Sequence, residues 1–230
     1  MTVRKLFFDL ETTGLPEKIS FFKYYPYRDL SKYKKSRIVQ FSWIITDHDY
    51  QNKREYDHII RPTDFKIPLD STNIHGITHD HAILNGHHLE HVVDDFVRDL
   101  LSVDQIIGHN VNFDLAILRN ELYRINRKDV IRLTYQKTIY CTMYNAQKQG
   151  LSKRYPKLIT LYNDLTGKEL EGAHNSLNDV RATIEVHKAM HEQLKLKVKV
   201  EEKIINKEIK DKEIKVLPSN IKIKLNLIKK

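Results

Sequence analysis

The chain has 230 residues, with 39 Lys plus Arg against 30 Asp plus Glu and a single cysteine, Cys141. That length gives one sizeable core with an appendage. The lone thiol excludes a disulfide-stapled secreted domain, and no apolar run approaches a membrane span or a signal peptide, so a soluble intracellular protein is expected. The formal charge of +9 sits in two places. Residues 195–230 hold 12 Lys against 5 acids, residues 18–37 hold 7 Lys plus Arg against one Asp, and the remainder is mildly acidic. Basic arms around a carboxylate-rich body suit a polyanionic partner, such as a nucleic acid.

In chain order, residues 3–10 read as a strand ending in DLETTG. Strand side chains alternate, so Asp9 and Glu11 face one side and Leu10 the other. Two like charges at the end of an apolar strand call for a cation between them. The next stretch, FFKYYPYRDLSKYKK, interleaves aromatics with cations. It suits single-stranded nucleic acid, whose bases stack on such rings, and equally a loop folding its tyrosines onto the body. Residues 37–47 and 54–62 are two further strands of an antiparallel meander. Residues 87–101 carry apolar side chains at helical spacing; QIIGHN is a short strand, and NFDLAILRNELYRI a helix behind it, which implies a parallel crossover. TIYCTMYNAQ fits strand or helix. KLITLYNDLTG reads as a short helix stopped by Gly167, and residues 176–194 as a longer one with Val180, Thr183, Val186 and Leu194 inward. The fold class is therefore α/β with a mixed sheet. The domain is expected over 1–194, with an aromatic, basic insert at about 18–37. Residues 195–230 are expected to be a partly ordered or disordered basic extension, whose alternating LKLKVKV and IKIKLNLI also suit a β-arm.

Two later segments bring in further polar side chains. GHNVNFD places Asp114 just inside a helix, and HNSLNDV places His174 in a loop and Asp179 in a first helical turn. Singly, each has an ordinary explanation: Asp114 suits a helix N-terminus, SLND reads as a capping box led by Ser176, and His174 suits a solvated loop. Six of the 12 histidines fall between positions 75 and 91, but without a matching set of acidic or Cys ligands.

Taken together and in order, DLETTG, GHNVNFD and HNSLND resemble the three motifs of the DEDD exonuclease superfamily, over about residues 3–192. His174, five residues before the last Asp, places the resemblance in the histidine branch; the tyrosine branch would need Tyr where Asn175 stands. IHGIT at 74–78 and YCTM at 140–143 are also similar to family sequences. The resemblance implies an RNase H-like five-stranded sheet, two Mg²⁺ or Mn²⁺ ions and 3′-to-5′ hydrolysis of DNA, with RNA as the alternative substrate and a polymerase or repair protein as a possible partner. A non-catalytic nucleic-acid-binding module is the alternative of another class. By the same resemblance, Asp9 bridges two cations, Glu11 and Asp179 complete the first shell, Asp114 serves the second, and His174 is the general base. Thr12, Thr13 and Gly14 form the turn that meets the 3′-hydroxyl, and Leu15 wedges against the last base. His109, Asn110 and Phe113 line the sugar, with the loop of His75 close by.

Overall fold

A computed structural model describes residues 4–51 and 53–216, with side chains described through residue 204. The strands are β1 (Lys5–Thr12), β2 (Lys18–Ser20), β3 (Lys23–Tyr24), β4 (Ile38–Thr46), β5 (Arg54–Ile59), β6 (Gln105–Gly108) and β7 (Thr138–Cys141). The helices are α1 (Leu69–His75), α2 (His79–Asn85), α3 (Leu89–Leu101), α4 (Val111–Arg124), α5 (Lys128–Gln136), α6 (Thr142–Lys148), α7 (Leu158–Thr166) and α8 (Ser176–Val216). Five strands form one mixed sheet in the order β5-β4-β1-β6-β7. β1 runs antiparallel to β4 and parallel to β6, so the carboxylate-bearing strand lies at the centre.

Period-two alternation in β1 divides the core. Leu6, Phe8 and Leu10 enter the larger cluster with Phe41, Trp43 and Phe96. Phe7 enters a smaller one with Ile44, Ile107, Val180 and Ile184 from the first turns of α8. Asp9 and Glu11 have the parity of Phe7, which directs them to the α8 side of the sheet. β4, buried along its whole length, carries Trp43, whose indole N–H donates to Asp99 at 2.9 Å. Arg54 pairs with the same carboxylate.

Several elements differ from the sequence expectation. The histidine-rich stretch before α3 holds α1 and α2, each of seven residues. Two turns are too short to display a 3.6-residue period. TIYCTMYNAQ is both alternatives in succession, β7 and then α6. As expected, Gly167 stops α7, taking the left-handed region at φ 70°. In α8, Val180, Thr183 and Val186 are buried as expected, but Leu194 is 43% exposed.

The compact unit ends at Lys188, and Ala189–Lys230 is a second unit. Its described part, through Val216, is helical, including LKLKVKV. Adding residues to an existing helix avoids the cost of nucleation, and Leu and Lys are good helix formers. IKIKLNLI lies outside the described residues. No described helix is long and apolar enough to cross a membrane.

The insert resolves into a two-stranded ribbon, β2–β3, and a 3₁₀ turn at Leu30–Tyr33. Its tyrosines divide between the two expected roles. Tyr33 is fully buried, and Tyr25 and Tyr27 pack against the core, whereas Phe21 at the ribbon tip is 59% exposed.

Candidate active site

The site is assembled at the C-terminal end of β1. A shift in register between Glu11 and Thr12 precedes the last pairing with β4, Thr12 with Ile38. The turn that follows is clipped to the segment before β4. Thr13 N–H donates to Arg37 O, Thr13 Oγ1 donates to Lys35 O, and Arg37 N–H donates back to that hydroxyl at 2.9 Å. Gly14 is required by close approach, because a Cβ there would sit 2.8 Å from Lys35 O, at a φ of +150°. Thr12 Oγ1 donates to Gly14 O, and Leu15 projects 77% exposed beyond the turn.

The start of α8 is pinned against this strand by a polar relay. Ser176 Oγ donates to Asp9 O at 2.7 Å, Ser176 N–H donates to Gln40 Oε1, and Gln40 Nε2 donates to Asp57 Oδ1 on β5. Ser176 is therefore not the helix cap that SLND suggests. That position belongs to Asn175, whose Oδ1 accepts from Asn178 N–H. The relay fixes where His174 and Asp179 stand relative to β1. Its signal in the sequence is Gln40, a long polar side chain inside a strand that is buried along its whole length. His174 takes a left-handed backbone, φ 66°, and its N–H donates to Asp179 Oδ2 at 3.3 Å.

Asp114 arrives from the first turn of α4, which follows the parallel strand β6 and is entered through a left-handed Asn110. Asp114 is 3% exposed. Glu11, His174 and Asp179 offer ligand atoms that all lie within 4.8 Å of one another.

Burial raises all four carboxyls; repulsion from the other acids adds to the shifts of Asp9, Glu11 and Asp114, whereas His174 partly offsets that of Asp179. Desolvation and then the charges of Asp114, Asp179 and Glu11 hold Asp9 well above the ordinary carboxylate range. Asp114 is likewise raised, first by burial. Burial and the Asp179 charge push Glu11 up to about 8, and burial pushes Asp179 up to about 6. Asp179 Oδ1 is buried with no hydrogen-bond partner among the described residues. Four raised carboxyls and an orphaned buried oxygen fit a site for hard divalent cations, which take oxygen ligands.

A pH dependence follows from these shifts. An acid with a raised folded-state pKa costs no stability below its unfolded value. The cost grows as pH rises through the interval and is complete above the folded value. For Glu11 and Asp179 the interval runs from the ordinary carboxylate range up to about 8 and about 6. Mg²⁺ or Mn²⁺, at one fixed concentration set a hundredfold above its Kd at about pH 8, should raise stability there by about 2.7 kcal/mol, about 5–10 °C in Tm for a chain of this size. Thermal melts should show a larger rise at about pH 8 than at about pH 5.5, because cation binding must displace protons at the lower pH. An equal rise at both would separate these carboxyls from the binding site.

The remaining candidates divide. The cleft beside the carboxylates, about 430 Å³, is lined by His109, Asn110, His174, Asp179, Phe21 and Tyr155 among others. His109 is engaged on both sides, Nδ1 with Thr142 Oγ1 at 2.9 Å and Nε2 with Pro156 O at 3.0 Å. Burial holds it down at about 4, so it is a neutral strut carrying the segment of Pro156. Phe113 meets Tyr24 of the ribbon edge to face. His75 is buried at the end of α1, with Nδ1 accepting from Ile77 N–H, and is not among the cleft residues.

A central strand ending in paired acids, with a third and fourth brought by the helices after β6 and at the end of the body, defines a nuclease of RNase H-like fold. The exonuclease family model (RNase_T) matches residues 6–187, and the chain belongs to that family. It is similar to the DNA polymerase III subunit epsilon of Rickettsia conorii, at 26% identity over 188 residues, 81% of this chain and 73% of the relative. The corresponding subunit of Rickettsia felis matches to the same extent. Among solved structures, Escherichia coli exonuclease I in a zinc-bound complex with single-stranded DNA matches with a TM-score of 0.62 at 24% identity, over 84% of this chain. The same enzyme with a dT13 oligonucleotide matches with a TM-score of 0.60 at 24% identity, over 82% of this chain. This chain spans 40–41% of those two structures' length, and the likeness to them is one of fold.

Proposed function

We propose that the chain is a divalent-cation-dependent 3′-to-5′ exonuclease of the histidine branch, acting on DNA with a single-stranded or frayed 3′ end and releasing nucleoside 5′-monophosphates. The observation that supports this reading is that the Asp9–Glu11 pair, Asp114 and Asp179, brought from three separate segments, lie close enough to raise one another's carboxyls, with Glu11, His174 and Asp179 offering ligand atoms to one spot. Two divalent cations held there would offset the charge that builds on phosphorus and on the attacking and leaving oxygens. Asp9, whose carboxyl feels the charges of Asp114, Asp179 and Glu11, would be shared between the two cations, with Glu11 and Asp179 helping to hold one and Asp114 the other. His174, exposed at the cleft, is free to take the proton of the attacking water, a task that suits imidazole near neutral pH. The backbone of the Thr12–Gly14 turn faces the terminal hydroxyl, since the Thr13 side chain is already bonded. Leu15 stands out to meet the last base.

DNA is the favoured polymer because the curated relatives are subunits of a DNA polymerase. The same likeness makes a polymerase a candidate partner. The body through about residue 194 is the catalytic domain, and the basic extension after it is an auxiliary arm for polyanions.

Matched 5′-labelled DNA and RNA oligomers, incubated with Mg²⁺ or Mn²⁺ and resolved by length, test the reading. DNA should shorten one nucleotide at a time from the 3′ end. Preferential shortening of RNA would reassign the polymer, and binding without shortening at any cation concentration would reduce the chain to a binding module.

A further inference from the structure

Four aromatic rings from two segments far apart in sequence cluster together, two of them, Phe21 and Tyr155, lining the cleft, and the proposed chemistry gives them no role. Phe21, Tyr155 and Tyr144 form a row of nearly parallel rings. Phe21 and Tyr155 have centroids 5.3 Å apart at 26°, and Tyr155 and Tyr144 are 6.5 Å apart at 18°. Phe22 braces the row edge-on, at 87° to Tyr155 and 86° to Tyr144. It does so from a left-handed backbone, φ 65°, that a bulky residue adopts only at a cost, where Gly or Asn would turn the ribbon freely. The sequence thus keeps an aromatic brace at a strained turn.

The braced row leaves its end ring in water. Phe21 is 59% exposed, although the neighbouring tyrosines of the same insert are packed on the core. Phe21 and Tyr155 line the same cleft as His174 and Asp179. The surroundings are cationic. The Lys18 ammonium lies 5.5 Å from the Phe21 centroid, and Lys153, Arg154 and Lys157 flank Tyr155 and are exposed. A braced π-face, set among exposed cations and lining the cleft of the proposed nuclease site, matches the chemistry of an unpaired nucleobase with its phosphate.

We infer that the β2–β3 ribbon and Tyr155 form a base-stacking platform, on which an unpaired base next to the scissile phosphate extends the row Phe21–Tyr155–Tyr144 while Lys18 passes to the backbone. The platform rests on the nuclease reading for the identity of its ligand. It gives the site a preference for single strands, because a paired base is stacked in its own duplex and does not extend the row.

The test measures binding in Ca²⁺ with oligothymidylate probes, so that its result is separate from that of the cleavage assay. One probe series is intact; in the others a single abasic residue replaces one of the last three nucleotides. For the unaltered protein, the abasic residue at one of these positions should weaken binding about 5- to 150-fold, the effect of losing one base–aromatic stack. In Phe21→Ala that penalty should collapse toward unity, and Phe21→Trp should restore it. Phe21→Leu, which keeps apolar bulk without the π-face, should behave like the alanine variant. General damage to the fold would weaken intact and abasic probes alike and leave their ratio unchanged. An unchanged ratio in both Phe21→Ala and Tyr155→Ala overturns the platform, even where cleavage proceeds. A collapsed ratio without cleavage keeps it and overturns the nuclease assignment instead.

Discussion

Asp9→Asn will lower the rate of 3′-end hydrolysis by about 10³-fold or more while raising the melting temperature of the cation-free protein. The first effect follows from charge. Electrophilic stabilisation of the kind assigned to this site is worth several kcal/mol, and each 1.36 kcal/mol is tenfold in rate. The second effect follows from the direction of the Asp9 shift. Its carboxyl is held well above the ordinary range by burial and by Asp114, Asp179 and Glu11. Ionising it at neutral pH costs folding free energy that a neutral amide of the same shape does not incur. Loss of function with gain of stability separates a functional charge cluster from a structural one. Chemical denaturation in EDTA, beside single-turnover cleavage, reads both. A variant that loses stability and keeps its cleavage rate would place Asp9 outside the chemistry.

Arg37→Met should destabilise the protein by about 3–5 kcal/mol, the effect of breaking a buried ion pair from one side. Arg37 joins the start of β4 to Glu121 in α4 and also pairs with Asp64 at 2.8 Å. Glu121 is 3% exposed, and burial raises its pKa even against the adjacent guanidinium. Removing that guanidinium leaves a buried carboxylate without its main partner. Arg37→Met combined with Glu121→Leu should recover most of the loss, since apolar groups of similar volume often replace a buried pair at little cost. Urea unfolding measures both variants, and a single-variant effect below about 1 kcal/mol would match an exposed pair instead. The pair bears on the site because the Arg37 backbone clips the Thr13 turn.

The chemistry of the site was more legible in the sequence than its supports. DLETTG showed its parity directly, since alternation in a strand is a local rule, and the structure divides β1 by that rule between two core clusters. GHNVNFD and HNSLND likewise sit at helix starts, where an acid is favoured locally. The supports are long-range. That Thr13 spends its hydroxyl on Lys35 and Arg37, that His109 is a strut between Thr142 and Pro156, and that Ser176 bonds the strand depend on partners 22 to 167 residues away. Nothing in the spacing of those residues reports such distances. The aromatic insert was readable as a composition but not as an arrangement. Which rings would be buried and which would line up with Tyr155 is decided by a segment more than a hundred residues later. In the terminal helix a local pattern misled, because alternation over seven residues was outweighed by the helix already running into it.

Diffraction from crystals grown with Mn²⁺ and thymidine 5′-monophosphate, recorded at the manganese absorption edge, tests the cation site itself. The prediction is two anomalous peaks about 3.5–4 Å apart, with Asp9 ligating both, Glu11 and Asp179 at one and Asp114 at the other. Manganese bound only elsewhere on the surface, with these four carboxylates left without metal, would contradict it.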